Sequence, residues 1–362
     1  MKSYYSKLVG KLKNKILPAK DSVLGIDIGA GYLKLVEVSL VEDEPTIKAV
    51  AINSLDKNIF DEDGIANLEL LSHILKKAIE VNGISSKHAV LSLGGRALFA
   101  REILFPKMTS SELQEAIKWE TEKYVPYEPD KYFYDFHIIG DAENGKEIRV
   151  MLVAAPKANV ENLISLVKSV GLKPFIIDGE TFALSRTIDA EDYICVDIGK
   201  LNTQVIIYQG GVPITNRNIP LFGDSFTRAI ADVLELDFVE AESLKQRQKN
   251  LVTVVGQTEE NTNVQEKLNE MVDELGREIL RTIEYFQIQK REAAFEKIII
   301  SGGGARLDGL VKRLSTEIRI PVEIHQPLQN LNCEKSFDKQ YLQSVAPQLA
   351  IAVGLAIRGG EE

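Results

Sequence analysis

Apolar and polar positions along the chain change period in a recurring way. In VLGIDIGAGYLKLVEVS, Val23 to Ile28 and Leu33 to Val38 are short, β-branched-rich apolar runs around a glycine-bearing turn, which predicts a β-hairpin with a tight loop. The design returns in YICVDIGKLNTQVIIYQGG, where Ile194 to Ile198 and Thr203 to Tyr208 flank a turn at Gly199. Asp27 and Asp197 fall just before the two turns, so each hairpin presents a carboxylate. A turn at Gly223 and Asp224 then leads into helical patterning. From Asn263 to Phe295, the side chains Leu268, Met271, Val272, Leu275, Ile279, Ile283 and Phe286 share one face, predicting a long amphipathic helix. It runs into EKIIISGGGARLDGLVKRL, which reads as strand, triple-glycine turn and helix. That arrangement lets backbone approach a ligand and aims helix-terminal amides at it.

Between the two hairpins, AVLSLGG, REILFP, DFHIIG and EIRVMLVAA read as strands around one helix that enters at TSSELQEAIKWE. Thr109 and Glu112 have the spacing of a capping box. Residues 87–156 are therefore expected to form a small sheet carrying one helix. Trp119, Tyr124, Tyr127, Tyr132 and Tyr134 crowd this stretch, either filling its core or marking an interface. The acidic run at Glu42 and the stretch Val255 to Asn263 read as solvated connections.

Composition narrows the function. A chain of 362 residues with 44% apolar residues can bury a large core. A net charge of −10 argues against a general nucleic-acid binder, whose affinity comes from basic surface. The first twenty residues, MKSYYSKLVGKLKNKILPAK, hold six lysines and no acid, so the remainder carries −16. As a helix, this tail would align Tyr5, Leu8, Val9, Leu12 and Ile16 in one apolar stripe and lie on an anionic membrane surface; otherwise it is a basic, solvated tail. No apolar run approaches the roughly 20 residues that cross a bilayer, and the N-terminus lacks a signal-peptide core, so a cytoplasmic protein is expected. Cys195 and Cys333 make no disulfide framework, and His73, His88, His137 and His325 lack zinc-ligand spacing.

Two carboxylate-bearing hairpins can grip a polyphosphate from opposite sides, backbone N–H groups meeting phosphate oxygens while the carboxylates hold Mg²⁺ through its waters. The phosphate-loop pattern GxxxxGK[ST] is absent, and GGGARLDG lacks the spacing of a dinucleotide fingerprint.

These motifs, in this order, resemble the actin, Hsp70 and sugar kinase superfamily, whose two duplicated halves clamp ATP. Asp27, Gly29 and Lys34 resemble its first phosphate motif, and Asp197, Gly199 and Thr203 its second. Glu180, in IIDGETFALSR, falls where the superfamily places a residue that orients the attacking water. Glu242 and Lys245, in EAESLKQ, resemble the pair that contacts ribose and base, and Gly302, Gly303 and Gly304 resemble the adenosine loop.

Within the superfamily, GIDIGAGYLKLVEV, WETEKYVPYEPDKYFYDFHII, REILRTIEYFQIQKREAAFEKIIISGGGARLDGL and VAPQLAIAVGLAIRGG resemble the PilM family of type IV pilus assembly proteins, relatives of the cell-division protein FtsA. The resemblance implies an α/β, actin-like (RNase H-like) duplicated fold with two lobes around a nucleotide cleft and an inserted small α+β domain. Its parts would be a basic tail at 1–20, a first half at 21–86 and 157–192 interrupted by the insertion at 87–156, and a second half whose core, 193–215 and 296–345, surrounds a helical nucleotide-covering subdomain at 216–295. A closing helix at 346–362 would return to the first half.

The function so implied is a cytoplasmic ATP-binding scaffold at the inner face of the inner membrane. It would use ATP and Mg²⁺, with Asp27 and Asp197 holding the metal through water, and would dock the cytoplasmic N-terminal peptide of a PilN-like membrane protein among other pilus assembly proteins. ATP would act chiefly as a structural switch, with weak or no hydrolysis. Ala30, Gly31 and Tyr32 stand where relatives often carry hydroxyl residues in the first loop, which leaves phosphate contacts there to backbone amides. The alternatives of the same fold are a sugar or acid kinase and an FtsA-like filament former.

The tail yields a first prediction. Loss of residues 1–20 should reduce co-sedimentation with anionic liposomes while leaving that with neutral liposomes unchanged; equal sedimentation of full-length and shortened chains on anionic vesicles rejects the membrane helix.

Overall fold

Each carboxylate-bearing turn closes an antiparallel hairpin at the heart of its own sheet. The structure is a computed structural model that describes residues 22–41, 44–61, 64–142, 145–247 and 259–360. The basic tail and the acidic pair Glu42 and Asp43 lie outside the described residues.

In the first lobe, β1 (Val23–Ile28) pairs with β2 (Tyr32–Val41), setting Asp27 opposite Lys34, and β2 pairs with β3 (Glu44–Ser54). After helix α1 (Leu68–Val81), strand β4 (His88–Leu93) lies parallel to β1. The small domain follows: β5 (Phe99–Pro106), α2 (Ser110–Tyr124), β6 (Tyr132–Asp141) and β7 (Glu147–Pro156). Helix α3 (Lys157–Ser169), β8 (Lys173–Gly179) and α4 (Glu180–Ser185) complete the lobe. The six-stranded sheet runs β8-β4-β1-β2-β3-β14, where β14 is Asn332–Cys333.

The second lobe repeats the plan. Strand β9 (Tyr193–Ile198) pairs antiparallel with β10 (Thr203–Gln209), and β10 with β11 (Val212–Ile219). Helices α5 (Gly223–Leu234), α6 (Phe238–Arg247) and α7 (Glu259–Gln289) precede β12 (Lys297–Ser301), which lies parallel to β9. Helix α8 (Leu310–Glu317) and β13 (Val322–Ile324) finish a five-stranded sheet of order β11-β10-β9-β12-β13. Helices α9 (Lys339–Val345) and α10 (Ala350–Arg358) close the chain. Among the described residues no helix is long and apolar enough to cross a membrane.

The apolar face read on α7 is the one that packs: Leu268, Val272, Leu275, Ile279, Ile283 and Phe286 join the core of the second lobe. Three expectations need correction. The run AVLSLGG, assigned to the small domain, is β4, hydrogen-bonded between β1 and β8 in the first-lobe sheet; a fully buried parallel strand and a small-domain strand have the same apolar composition. Helix α7 ends at Gln289 instead of Phe295 and begins at Glu259, so residues 259–263 of the expected connection are its first turn. The triple-glycine turn leads into a 3₁₀ turn at Gly303–Arg306, and α8 starts only at Leu310, after Gly309 turns the chain at φ 86°. The amides of α8 therefore do not point out of the glycine turn.

The small domain is a three-stranded antiparallel sheet, order β5-β7-β6, with α2 on one face. Thr109 and Glu112 form the expected capping box. Tyr124, Tyr127 and Tyr132 pack on its core, whereas Trp119 (74% exposed) and Tyr134 (39%) stay at the surface.

Helix α10 is buried along nearly its whole length and packs on β1, β2, β4 and α4. Its approach to α4 is at backbone contact: a Cβ at Gly354 would lie 1.9 Å from the Ala183 carbonyl oxygen. Helix propensity favours Gly→Ala by about 1 kcal/mol, so packing and propensity oppose one another here. Gly354→Ala should lose about 3 kcal/mol or more of stability in urea unfolding, because the backbones must separate; a gain would show that the two helices can part at no cost.

Candidate functional site

The two hairpin tips face one another across the lobes. Gly31 of the first turn packs against the Lys200 side chain of the second, at a distance that leaves no room for a Cβ (2.3 Å to Lys200 Cδ). Each tip is held by its own turn bond, Gly29 N–H to the Tyr32 carbonyl (3.1 Å) and Gly199 N–H to that of Asn202 (2.8 Å). The second tip also seats α5: Gly223 and Asp224 donate their N–H groups to the carbonyls of Gly199 and Lys200, both at 2.9 Å.

Between the tips lies a concentrated charge cluster. Lys34 Nζ bonds the buried Asp27 carboxylate at 2.7 Å. Burial works against the Lys34 ammonium, but attraction to Asp27, then to Asp197 and Glu180, outweighs it and holds the pKa above the ordinary lysine value. The acids have the opposite problem. Glu180 is pushed up to about 7, first by burial, then by the negative charge of Asp27 and Asp197; Lys34 and a hydrogen bond from Gln204 oppose the shift. Asp197 is pushed up to about 6, first by burial, with Lys34 opposing and Asp27 reinforcing. Three carboxyls share one ammonium, an excess of negative charge that a cation would relieve.

Glycines let these groups converge. Glu180 opens α4 and lies over Gly94, where a Cβ would stand 1.7 Å from Glu180 Oε2. Gly302, at φ 81°, backs directly onto the second hairpin; a Cβ there would be 2.5 Å from the Ile198 carbonyl oxygen and 2.7 Å from Asp197 Oδ1. Gly303 is exposed and Gly304 packs on Ile198. Gly302 and Gly304 thus stand directly beside the turn of the second hairpin.

Glu242 and Lys245 lie on α6, against the start of α5. Lys245 Nζ donates to Glu242 Oε2 (2.7 Å), to Thr227 Oγ1 (2.7 Å) and to the Gly223 carbonyl (2.9 Å). Gln246 extends the network across the cleft, from Glu242 (2.7 Å) to the Tyr32 hydroxyl (3.2 Å). Thr203 is withdrawn from solvent entirely, its hydroxyl without a hydrogen-bond partner in the protein.

Gln204, Gly94, Gln246 and Tyr32 belong to the cluster but were not singled out as binding residues in the sequence. Gln204 had a signal: hairpin register sets it opposite Asp197, on the strand that leaves the tip. Asn216 steers it by donating to Gln204 Oε1 at 2.6 Å.

The cluster suits a Mg²⁺-bound polyphosphate better than a bare metal. Among the described residues no three His, Cys, Asp or Glu side chains converge to ligate an ion by themselves. A hard divalent ion here would complete its shell with phosphate oxygens and water, as Mg²⁺ commonly does.

With this geometry established, comparison with known proteins decides the family. Residues 25–360 match the family described as type IV pilus assembly protein PilM. The chain belongs to that family. A solved PilM-PilN type IV pilus biogenesis complex is similar at TM-score 0.81 and 29% identity, over 95% of this chain and 100% of that one. FtsA of Bacillus subtilis is 20% identical over 89% of this chain and 81% of its own. The fold is that of the actin-like ATPases: MreB5 of Spiroplasma citri bound to AMPPNP superposes at TM-score 0.52 with 13% identity, over 93% of this chain and 95% of that one.

The raised acids give a pH prediction. In the folded protein Glu180 and Asp197 keep protons that the unfolded chain has already released, so folding takes up protons and stability falls as pH climbs from about 4 to 7. Glu180→Gln should therefore stabilise the protein at pH 8 by roughly 1–3 kcal/mol, a gain that vanishes near pH 4. Thermal unfolding across pH checks it; a gain independent of pH contradicts the charge cluster.

Proposed function

We propose that this family member is an ATP-binding scaffold of pilus assembly that docks the cytoplasmic N-terminal peptide of a PilN-like membrane protein at the inner face of the inner membrane. The observation that carries the reading is a groove of about 1580 Å³ between the small domain and the two lobes. Helix α2 covers one face of the small sheet, and the other face, with Leu104, Phe133, Met151 and Val153, lines the groove. The opposite walls come from β8 and α4 in the first lobe and from the β10–β11 turn and the end of α7 in the second. An open, half-apolar trough beside an edge strand suits an extended peptide.

Because both lobes build the groove, its width follows their relative position. Arg149 donates to Glu102 on its floor through two guanidinium nitrogens, Nε at 2.7 Å and Nη2 at 2.8 Å. The Glu102 carboxyl sits below the usual carboxylate range, first through that bond, and Lys290 on the far wall contributes too. ATP, bound by Asp27, Gly29, Lys34, Asp197, Gly199, Thr203 and Gly302 to Gly304 with Mg²⁺ held through water by the two aspartates, would favour one lobe arrangement and thereby one groove shape. Glu242 and Lys245 would exchange their mutual bond for ribose and base, and Glu180 would position water.

Two experiments test this reading. Asp27→Ala and Asp197→Ala should each abolish Mg²⁺-dependent ATP retention on a desalting column with the fold intact by circular dichroism; retention in both refutes the cleft. For the groove, Leu104→Glu and Phe133→Ser replace side chains about half exposed (50% and 47%), so folding should survive. Each should weaken a synthetic PilN-like N-terminal peptide by about tenfold or more in fluorescence titration, and unchanged affinity in both moves the docking site elsewhere. Rapid conversion of ATP to ADP on adding a sugar would favour the kinase instead.

A further inference from the structure

Helix α4 belongs to both sites at once. It is six residues long, so it spans only about 9 Å. Its first residue, Glu180, is the carboxyl in the nucleotide cleft, bonded by Gln204 of the second lobe. Phe182 and Ser185, two and five residues on, line the groove. The segment is bracketed by an ion pair between Asp178, which precedes it, and Arg186, which caps its end; both line the groove and each side chain is 13% exposed. Asp178 also accepts the Gly179 N–H at 2.8 Å, fixing the residue from which the helix starts.

The helix is tied to the second lobe at both ends. Near its start, the Tyr208 hydroxyl donates to the Thr181 carbonyl at 2.7 Å. Just past its end, Thr187 meets His325 Nε2 at 3.0 Å, and His325 Nδ1 meets Ser301 Oγ at 2.9 Å. All three are buried, and Ser301 immediately precedes the glycine turn at Gly302. On its remaining side, α10 lies at backbone contact. A segment so short, and so restrained, moves as one body, so a displacement at Arg186 is a displacement at Glu180.

We propose that the Asp178–Arg186 pair couples the groove to the nucleotide cleft, by setting the position of α4 that both a docked peptide and Mg·ATP require. This rests on the docking reading above. Coupling is reciprocal: whichever ligand binds first holds α4 in place, and the second binds more tightly by the same factor. Arg186 and Asp178 are positioning residues, since neither reaches the cleft itself.

The test measures the affinity of the PilN-like N-terminal peptide for the full chain with and without Mg·AMPPNP, in the wild type, Arg186→Gln and Asp178→Asn. The wild type should show at least about fivefold tightening by the nucleotide and each variant less than about twofold, the factor being read against each protein's own peptide affinity without nucleotide, which itself falls where a groove-lining side chain is lost. A merely structural role would lower both single affinities and leave the tightening factor as in the wild type. No tightening in the wild type, or tightening retained in both variants, overturns the proposal. If the peptide does not bind the wild type at all, the docking reading fails by itself, and hydrogen exchange then judges the coupling. Mg·AMPPNP should slow amide exchange over residues 182–187 in the wild type but not in Asp178→Asn, and unchanged exchange in the wild type overturns it.

Discussion

A charge imbalance at the junction of the two lobes organises this protein. Asp27, Asp197 and Glu180 come from a hairpin in each lobe and from the helix between them, and among the described residues Lys34 is the cation that answers them. Removing several like charges from water is costly unless each is paired or neutralised. The protein meets that cost with the Lys34–Asp27 pair and with two carboxyls, Asp197 and Glu180, that hold their protons to a higher pH than an ordinary carboxyl does. A cluster under such strain is stabilised by a positive charge brought among its carboxylates.

The same constraint explains why the supports are so close-packed. Glu180 can reach the cluster only because Gly94 leaves space beneath it, and α4 can hold that position only because α10 presses on its backbone at Gly354. The small domain is built differently. Its sheet keeps one face on α2 and turns the other to a trough whose opposite wall belongs partly to the second lobe. A surface shared between lobes reports their orientation, whereas one confined to a single lobe would not. Glu102 and Lys290, on facing walls and within electrostatic reach, illustrate the dependence.

Much of this was legible in the chain before folding. The duplicated hairpins, the apolar face of α7 and the capping box at Thr109 follow from periods and spacings that depend on neighbours only a few residues away. Errors fell where local pattern is ambiguous. An apolar run such as Ala89 to Leu93 suits a buried parallel strand as well as a small-domain strand, and only its ladder with β1 and β8 assigns it. The end of α7 and the start of α8 depend on where packing stops and where Gly309 turns, neither of which periodicity records.

The sequence by itself determined the family, the two carboxylate-bearing turns and the glycines beside them, because backbone geometry at a tight turn restricts which residues can occupy it. Only the tertiary structure decided which distant groups meet. Gln204 bonded to Glu180, Gln246 reaching Tyr32, and Arg186 paired with Asp178 across a helix whose other end enters the cleft are contacts between side chains of ordinary type. Hairpin register places Gln204 opposite Asp197, but nothing in the local sequence marks which distant group each of these side chains meets, since the energy of such a contact depends on the burial and neighbours that folding creates.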